Sequence, residues 1–170
     1  MSTTSFPTHT PETAPAAARP AMIRTAAEFG TVPPALGRLA TSPVLLNGFL
    51  DASAAFEHSS LDRIAQEVVI MTVAVRNGCR VCVGIHSGFL RKLGRAELIA
   101  PLRSGRPLDD PMLEAVRQFT LRLLATTGDV PDDELQEFLA AGFTPENALE
   151  IVYGIGAYTM STFANRLVGL

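Results

Sequence analysis

From about residue 21 onward, apolar residues recur at intervals of three and four, the spacing of one face of a helix. Alternating Val and Ile runs are absent, and Gly and Pro fall at segment ends rather than at hairpin spacing. This punctuation divides the chain into about eight helical segments. Pro33-Pro34 precedes a short helix to about Ala40. Ser42-Pro43, an N-cap followed by proline at the first helical position, opens a helix to about Glu57. After the break at His58-Ser59-Ser60, the next helix runs from Leu61 to about Arg76 and stops at Asn77-Gly78, both suited to a left-handed C-cap. A new helix starts at Cys79 or just after it and ends at Leu93, before Gly94. Arg95 to Leu102 is short and closes at Ser104-Gly105. Asp109-Asp110-Pro111 opens a helix that runs to Thr127-Gly128, and another covers Pro131 to Ala141. Thr144-Pro145-Glu146 opens the last and longest, to about Val168. The expected class is all-α, one domain of seven to eight helices over residues 21–170.

Two of these helices have unusual patterns. The last carries Leu149, Ile151, Val152, Ile155, Ala157, Tyr158, Met160 and Phe163, so it is apolar most of the way round. Such a helix is expected to be buried. In a chain this small, that points to partial cover by a second copy. Helix 61–76 has a stripe through Ile64, Val68, Met71 and Val75, and Glu67 falls beside or inside it. A carboxylate there is a partner for a buried cation, a proton carrier raised by desolvation, or an edge residue reaching water.

Composition narrows the function. The formal charge is -3 and the basic residues are scattered, so there is no footprint for nucleic acid. No apolar run is long enough to span a bilayer. Residues 1–20, rich in Thr, Pro and Ala, read as a disordered tail. They lack the basic start and apolar stretch of a signal peptide, so a cytoplasmic location is expected.

In a reducing compartment a lone pair of cysteines is more often catalytic or metal-binding than structural. The only cysteines are Cys79 and Cys82, and His86 follows the second by four residues. In a helix these offsets place all three on one face over two turns. At a helix N-terminus, unpaired N–H groups and the dipole favour a thiolate, and His86 is within one turn of Cys82 to move its proton. Gly84 leaves room beside the thiols. A structural zinc site wants four ligands; His9 and His58 lie in the tail and a loop, and no second cluster exists, so no metal is expected. Haem attachment is excluded by Val83, and a thioredoxin fold by the lack of a βαβ pattern. The remaining alternative is a pair of small buried hydrophobes.

From Glu67 to His86 the chain reads E-x11-C-x2-C-x3-H. With Gln66-Glu67-Val68-Val69-Ile70 leading into Ala74-Val75-Arg76-Asn77-Gly78-Cys79, this stretch resembles the alkyl hydroperoxidase D (AhpD) family of the carboxymuconolactone decarboxylase-like superfamily. The similarity extends through Phe29-Gly30, Val32-Pro33, Ser42-Pro43 and Ser60-Leu61 to the final Ala164-Asn165-Arg166-Leu167, most of the chain from about residue 27. It departs at Arg80 and Val81, where some members have a further histidine.

The resemblance implies an AhpD-like helical domain and an antioxidant thiol peroxidase or thiol–disulfide oxidoreductase that reduces hydroperoxides. By position, Cys82 is the peroxide-attacking thiol that becomes a sulfenic acid, Cys79 the resolving thiol, and His86 and Glu67 the proton relay. No cofactor is implied beyond a redox-active Cys79–Cys82 disulfide and an external dithiol. The implied partners are a hydroperoxide, a peroxiredoxin or lipoyl-bearing protein as reductant, and further copies of the chain as a trimer or hexamer. Two other functions fit the same pattern: a non-catalytic redox-sensing oligomer, and a decarboxylase or lactone-processing enzyme, a type that generally does not rely on a cysteine pair.

Overall fold

Proline and side-chain caps set most of the helix starts in the computed structural model, which describes residues 5–170. Over these residues the chain forms nine α-helices and two short 3-10 turns, with no strand. The helices are α1 (Arg19–Phe29), α2 (Pro34–Leu39), α3 (Pro43–Glu57), α4 (Arg63–Arg76), α5 (Arg80–Lys92), α6 (Ile99–Ser104), α7 (Pro111–Thr126), α8 (Asp132–Ala140) and α9 (Pro145–Leu167). Ser42 caps α3 through the Leu45 N–H, Asp62 caps α4 through the N–H groups of Ile64 and Ala65, and Thr144 with Asn147 forms a capping box on α9. The all-α expectation holds, and the boundaries from α2 to α9 fall close to those read from the sequence.

The body is built round α4. Every residue of it from Ala65 to Ala74 is buried, so it is enclosed on all sides and not only along the expected stripe. Helices α5, α7 and α9 pack on it, and α3 crosses α9. The main core runs through Phe56, Val68, Val69, Ile70, Met71, Leu90, Val116, Ile151 and Tyr158. Its far end closes with Phe119, Phe138 and Phe143 stacked at centroid spacings of 4.2 and 4.6 Å.

Within one chain the last helix buries one side only: Ile151, Ala157 and Tyr158 face inward, while Leu149 is 72% exposed, Phe163 59% and Leu167 73%, the part of its surface that the sequence reading left for a second copy to cover. One expectation needs correction. The segment expected as a disordered tail is, over the residues described, laid against the body. The His9 N–H donates to the Gly37 carbonyl at 3.0 Å, and Ala14 and Ala18 are buried with Met22, Leu39, Leu46 and Val168. Alanine loses no rotamer freedom on burial, so a segment without an apolar pattern can pack with no side-chain entropy cost at these positions. Residues 1–4 of that expectation lie outside the described residues. Among the described residues, no helix is long and apolar enough to cross a membrane.

Candidate functional site

The sequence Asn77-Gly78-Cys79 makes the corner between α4 and α5. Gly78 adopts φ +67°, which lets its N–H reach the Val75 carbonyl at 3.0 Å and the Cys79 N–H reach the Ala74 carbonyl at 2.9 Å, a Schellman closure. The corner is clasped by α9: Arg166 Nη1 donates to the Asn77 carbonyl at 2.7 Å, and Asn77 Nδ2 donates to Thr162 Oγ1 at 2.9 Å. Cys79 is thereby fixed as the N-cap of α5, its sulfur accepting the Cys82 N–H at 3.4 Å.

Cys79 and Cys82 are joined by a disulfide across this first turn, and both are buried. Asn165 Nδ2, from the last turn of α9, lies 3.4 Å from the Cys82 sulfur as a donor. A donor aimed at that sulfur, with the α5 N–H groups beside it, favours a thiolate once the bond is open.

One turn further along α5, His86 Nδ1 is 2.8 Å from Glu67 Oε2 on α4. An ionised carboxylate only accepts, so the imidazole donates from Nδ1 and its Nε2 is left as the proton-accepting atom. Glu67 is fully buried. A buried charge requires pairing, and its second oxygen meets Arg63 Nη2 at 3.2 Å, an ion contact without hydrogen-bond alignment. Arg63 continues to the surface: it donates to Gln66 Oε1 at 3.1 Å, contacts Glu57 at 3.5 Å, and lies over the Phe89 ring. The Tyr158 ring stands edge-on to His86 at a 5.4 Å centroid distance, with its hydroxyl 3.0 Å from Ser53 Oγ. Burial, followed by the nearby Glu67 charge, pushes the Tyr158 phenol up to about 12, against a smaller lowering by the Ser53 bond, so it remains neutral at ordinary pH.

The four residues singled out from the sequence therefore share one region in two pairs. Cys79 is bonded to Cys82, and Glu67 is hydrogen-bonded to His86. Among the described residues, neither sulfur is hydrogen-bonded to His86 or Glu67; the polar neighbour of Cys82 is Asn165. Sequence reasoning missed Arg63, Tyr158 and Asn165. The last two belong to a buried polar row, Tyr158, Ser161, Thr162 and Asn165, at offsets of three, four and seven on α9. That row is a helix-period signal of the same kind as an apolar stripe.

Comparison with known proteins bears on the central segment and on the fold. The carboxymuconolactone decarboxylase family model matches residues 44–98, which hold α4, the cysteine pair and His86. No curated protein matches the chain. Among solved structures it is similar to the alkylhydroperoxidase AhpD core of an uncharacterized peroxidase-related protein from Ralstonia eutropha JMP134. The TM-score is 0.80 at 20% identity, over 95% of this chain and 86% of that one. It is also similar to an uncharacterized peroxidase-related protein from Silicibacter sp. TM1040, with TM-score 0.76 at 20% identity over 95% and 85% of the two chains. The matched segment therefore holds the candidate site, and the solved structures show that the fold around it is that of the AhpD core.

Proposed function

We propose that the chain is a CxxC-dependent thiol–disulfide oxidoreductase that reduces hydroperoxides. The observation that carries this reading is a disulfide-forming cysteine pair at the head of α5 with buried Glu67 hydrogen-bonded to part-buried His86 one turn below it. In the reduced protein, Cys82 gives its proton to His86 Nε2, directly or through one water, and Glu67 stabilises the resulting imidazolium. The Cys82 thiolate attacks one peroxide oxygen, the O–O bond breaks, and the alcohol leaves with the proton returned by His86. Cys82 is then a sulfenic acid; the Cys79 thiol attacks its sulfur, water leaves, and the disulfide forms. An external dithiol supplies two electrons and two protons to restore the pair. Asn165 supports the thiolate by donating to its sulfur, and no metal or organic cofactor is called for.

The test is turnover of cumene hydroperoxide with dihydrolipoamide as reductant, alongside thiol titration. Cys82→Ser should abolish turnover, and Cys79→Ser should stop the cycle at the sulfenic acid. Full turnover by Cys82→Ser would refute the reading.

A second reading draws on the outer face of α9. Leu149, Val152, Phe163 and Leu167 are exposed along one side of the longest helix, an apolar row of the kind an interface covers. We assign it to homo-oligomer contacts, in a trimer or hexamer. If the pair oxidised once per chain without multiple turnovers, and assembly changed with it, the protein would be a redox sensor rather than a peroxidase.

A further inference from the structure

Helix α5 has a second functional face. Cys82, His86 and Phe89 point toward α4 and α9, whereas Arg80, Gly84, Ser87 and Arg91 lie about half a turn round the helix from them. On that second side is a cleft of about 560 Å³, walled by Cys79 and bounded by Arg80, Arg91 and Arg103. Its volume is that of a small-molecule site.

The charge of this cleft is not the charge of the chain. The molecule as a whole is net -3, yet no Asp or Glu lines the cleft, and three guanidinium groups do. Elsewhere Arg63, Arg95, Arg117 and Arg122 are matched with acids. The guanidinium groups of Arg80, Arg91 and Arg103 have no hydrogen-bond or ion partner among the described residues. Gly84 keeps the floor open, since a Cβ there would meet nothing within 4 Å. Cys79, but not Cys82, belongs to the cleft wall.

We propose that this cleft anchors the reductant, and that the reductant is a small thiol whose far end carries an oxyanion, a carboxylate in the simplest case. The guanidinium fork pairs with a carboxylate through charge-assisted bonds. Cys79 is fully buried behind this wall, so its sulfur is reached only when the corner yields, and a thiol already held in the cleft is in place when it does. Anchoring raises the thiol's effective concentration at that wall. The reductant thiolate attacks the Cys79 sulfur, the S–S bond breaks, and Cys82 leaves as the thiolate held by Asn165. A second thiol, on the same or another reductant molecule, then displaces Cys79. The reductant ends as a disulfide, and the protein gains two electrons and two protons. This inference rests on the thiol–disulfide reading and adds to it the class of reductant and the sulfur attacked.

The test compares two dithiols that differ only in the charged end, dihydrolipoate and dihydrolipoamide, reducing the oxidised protein under pseudo-first-order conditions. At low salt, dihydrolipoate should be faster by about tenfold, the scale of one charge-assisted contact. The advantage should shrink with added salt and vanish in the R91Q/R103Q variant, whose substituted residues are both exposed, while the dihydrolipoamide rate stays unchanged. Equal rates, or an advantage that survives R91Q/R103Q, overturns the proposal. A second arm needs no redox step: calorimetry of the Cys79→Ser/Cys82→Ser protein with octanoate and octanamide. Binding of octanoate alone, lost in R91Q/R103Q, supports the anchor even if hydroperoxide turnover fails. Absence of octanoate binding refutes it even if turnover is found.

Discussion

A carboxylate without water contact holds its charge only against groups supplied by the fold, and Glu67 has two: His86 Nδ1 on one oxygen and Arg63 on the other. Glu67→Gln keeps the shape and removes the charge, so the imidazolium of the proposed proton transfer would lose its counter-ion. Hydroperoxide turnover should fall by about 10²-fold or more, the usual scale for a lost acid–base partner. Steady-state kinetics checks this, with circular dichroism to establish that the fold is kept. Asn165→Ala removes the donor to the Cys82 sulfur. The pH at which Cys82 ionises should rise, and peroxide attack at neutral pH should slow by about tenfold. Thiolate absorbance across a pH series reads the first effect and stopped-flow kinetics the second. The sequence carried Cys79, Cys82 and His86 plainly, because they stand at helix spacing within one short stretch, whereas Glu67, on the preceding helix, was open to several readings until the family resemblance singled it out. Arg63 and Asn165 were not legible in the same way. Arg63 looks like an ordinary first-turn residue, and Asn165 reaches Cys82 across 83 positions of chain.

At the scale of elements, the crossing of α3 and α9 depends on Gly154. A Cβ built there would lie 2.7 Å from the ring of fully buried Phe56. Gly154→Ala should therefore cost about 1–3 kcal/mol by overpacking. Gly48→Ala, exposed on α3 with nothing within 4 Å of its Cβ, should stabilise by up to about 1 kcal/mol. Paired thermal melts check both directions. Glu150 ties α9 to the loop before α4 by accepting from the Ser60 N–H and hydroxyl, each at 2.7 Å. Burial alone would raise its carboxyl, but the Ser60 and Asn147 bonds outweigh that and hold it below the ordinary 4.5. A lowered folded-state value means the stabilisation is complete above about 4.5 and is lost as pH falls through the folded value. Glu150→Gln should flatten that acid limb in melts recorded on either side of it. Helix order was legible because proline and the N-caps mark starts and glycine marks ends. Helix α1 and the packed segment before it were not: Ala14, Ala18 and Ala21 are buried without forming an apolar period distinct from an Ala/Pro-rich tail.

For the whole molecule, the exposed row on α9 makes assembly the natural test. Phe163→Glu places a charge in its middle and should shift the protein toward monomer in sedimentation, leaving the inward-facing Tyr158 and Asn165 undisturbed. The sequence marked this helix as excessively apolar, but could not show which side would be left uncovered, since that depends on where α3 and α4 pack against it. The disulfide has a different bearing on the molecule, through the shortness of the loop it closes. Three positions separate its cysteines. Closing so small a loop restricts the unfolded chain by only about 2 kcal/mol, against nearly 5 for a loop of a hundred residues. Oxidised and reduced forms should therefore differ modestly in melting temperature. A bond that carries so little of the fold's stability would put little of the architecture at risk if it opened.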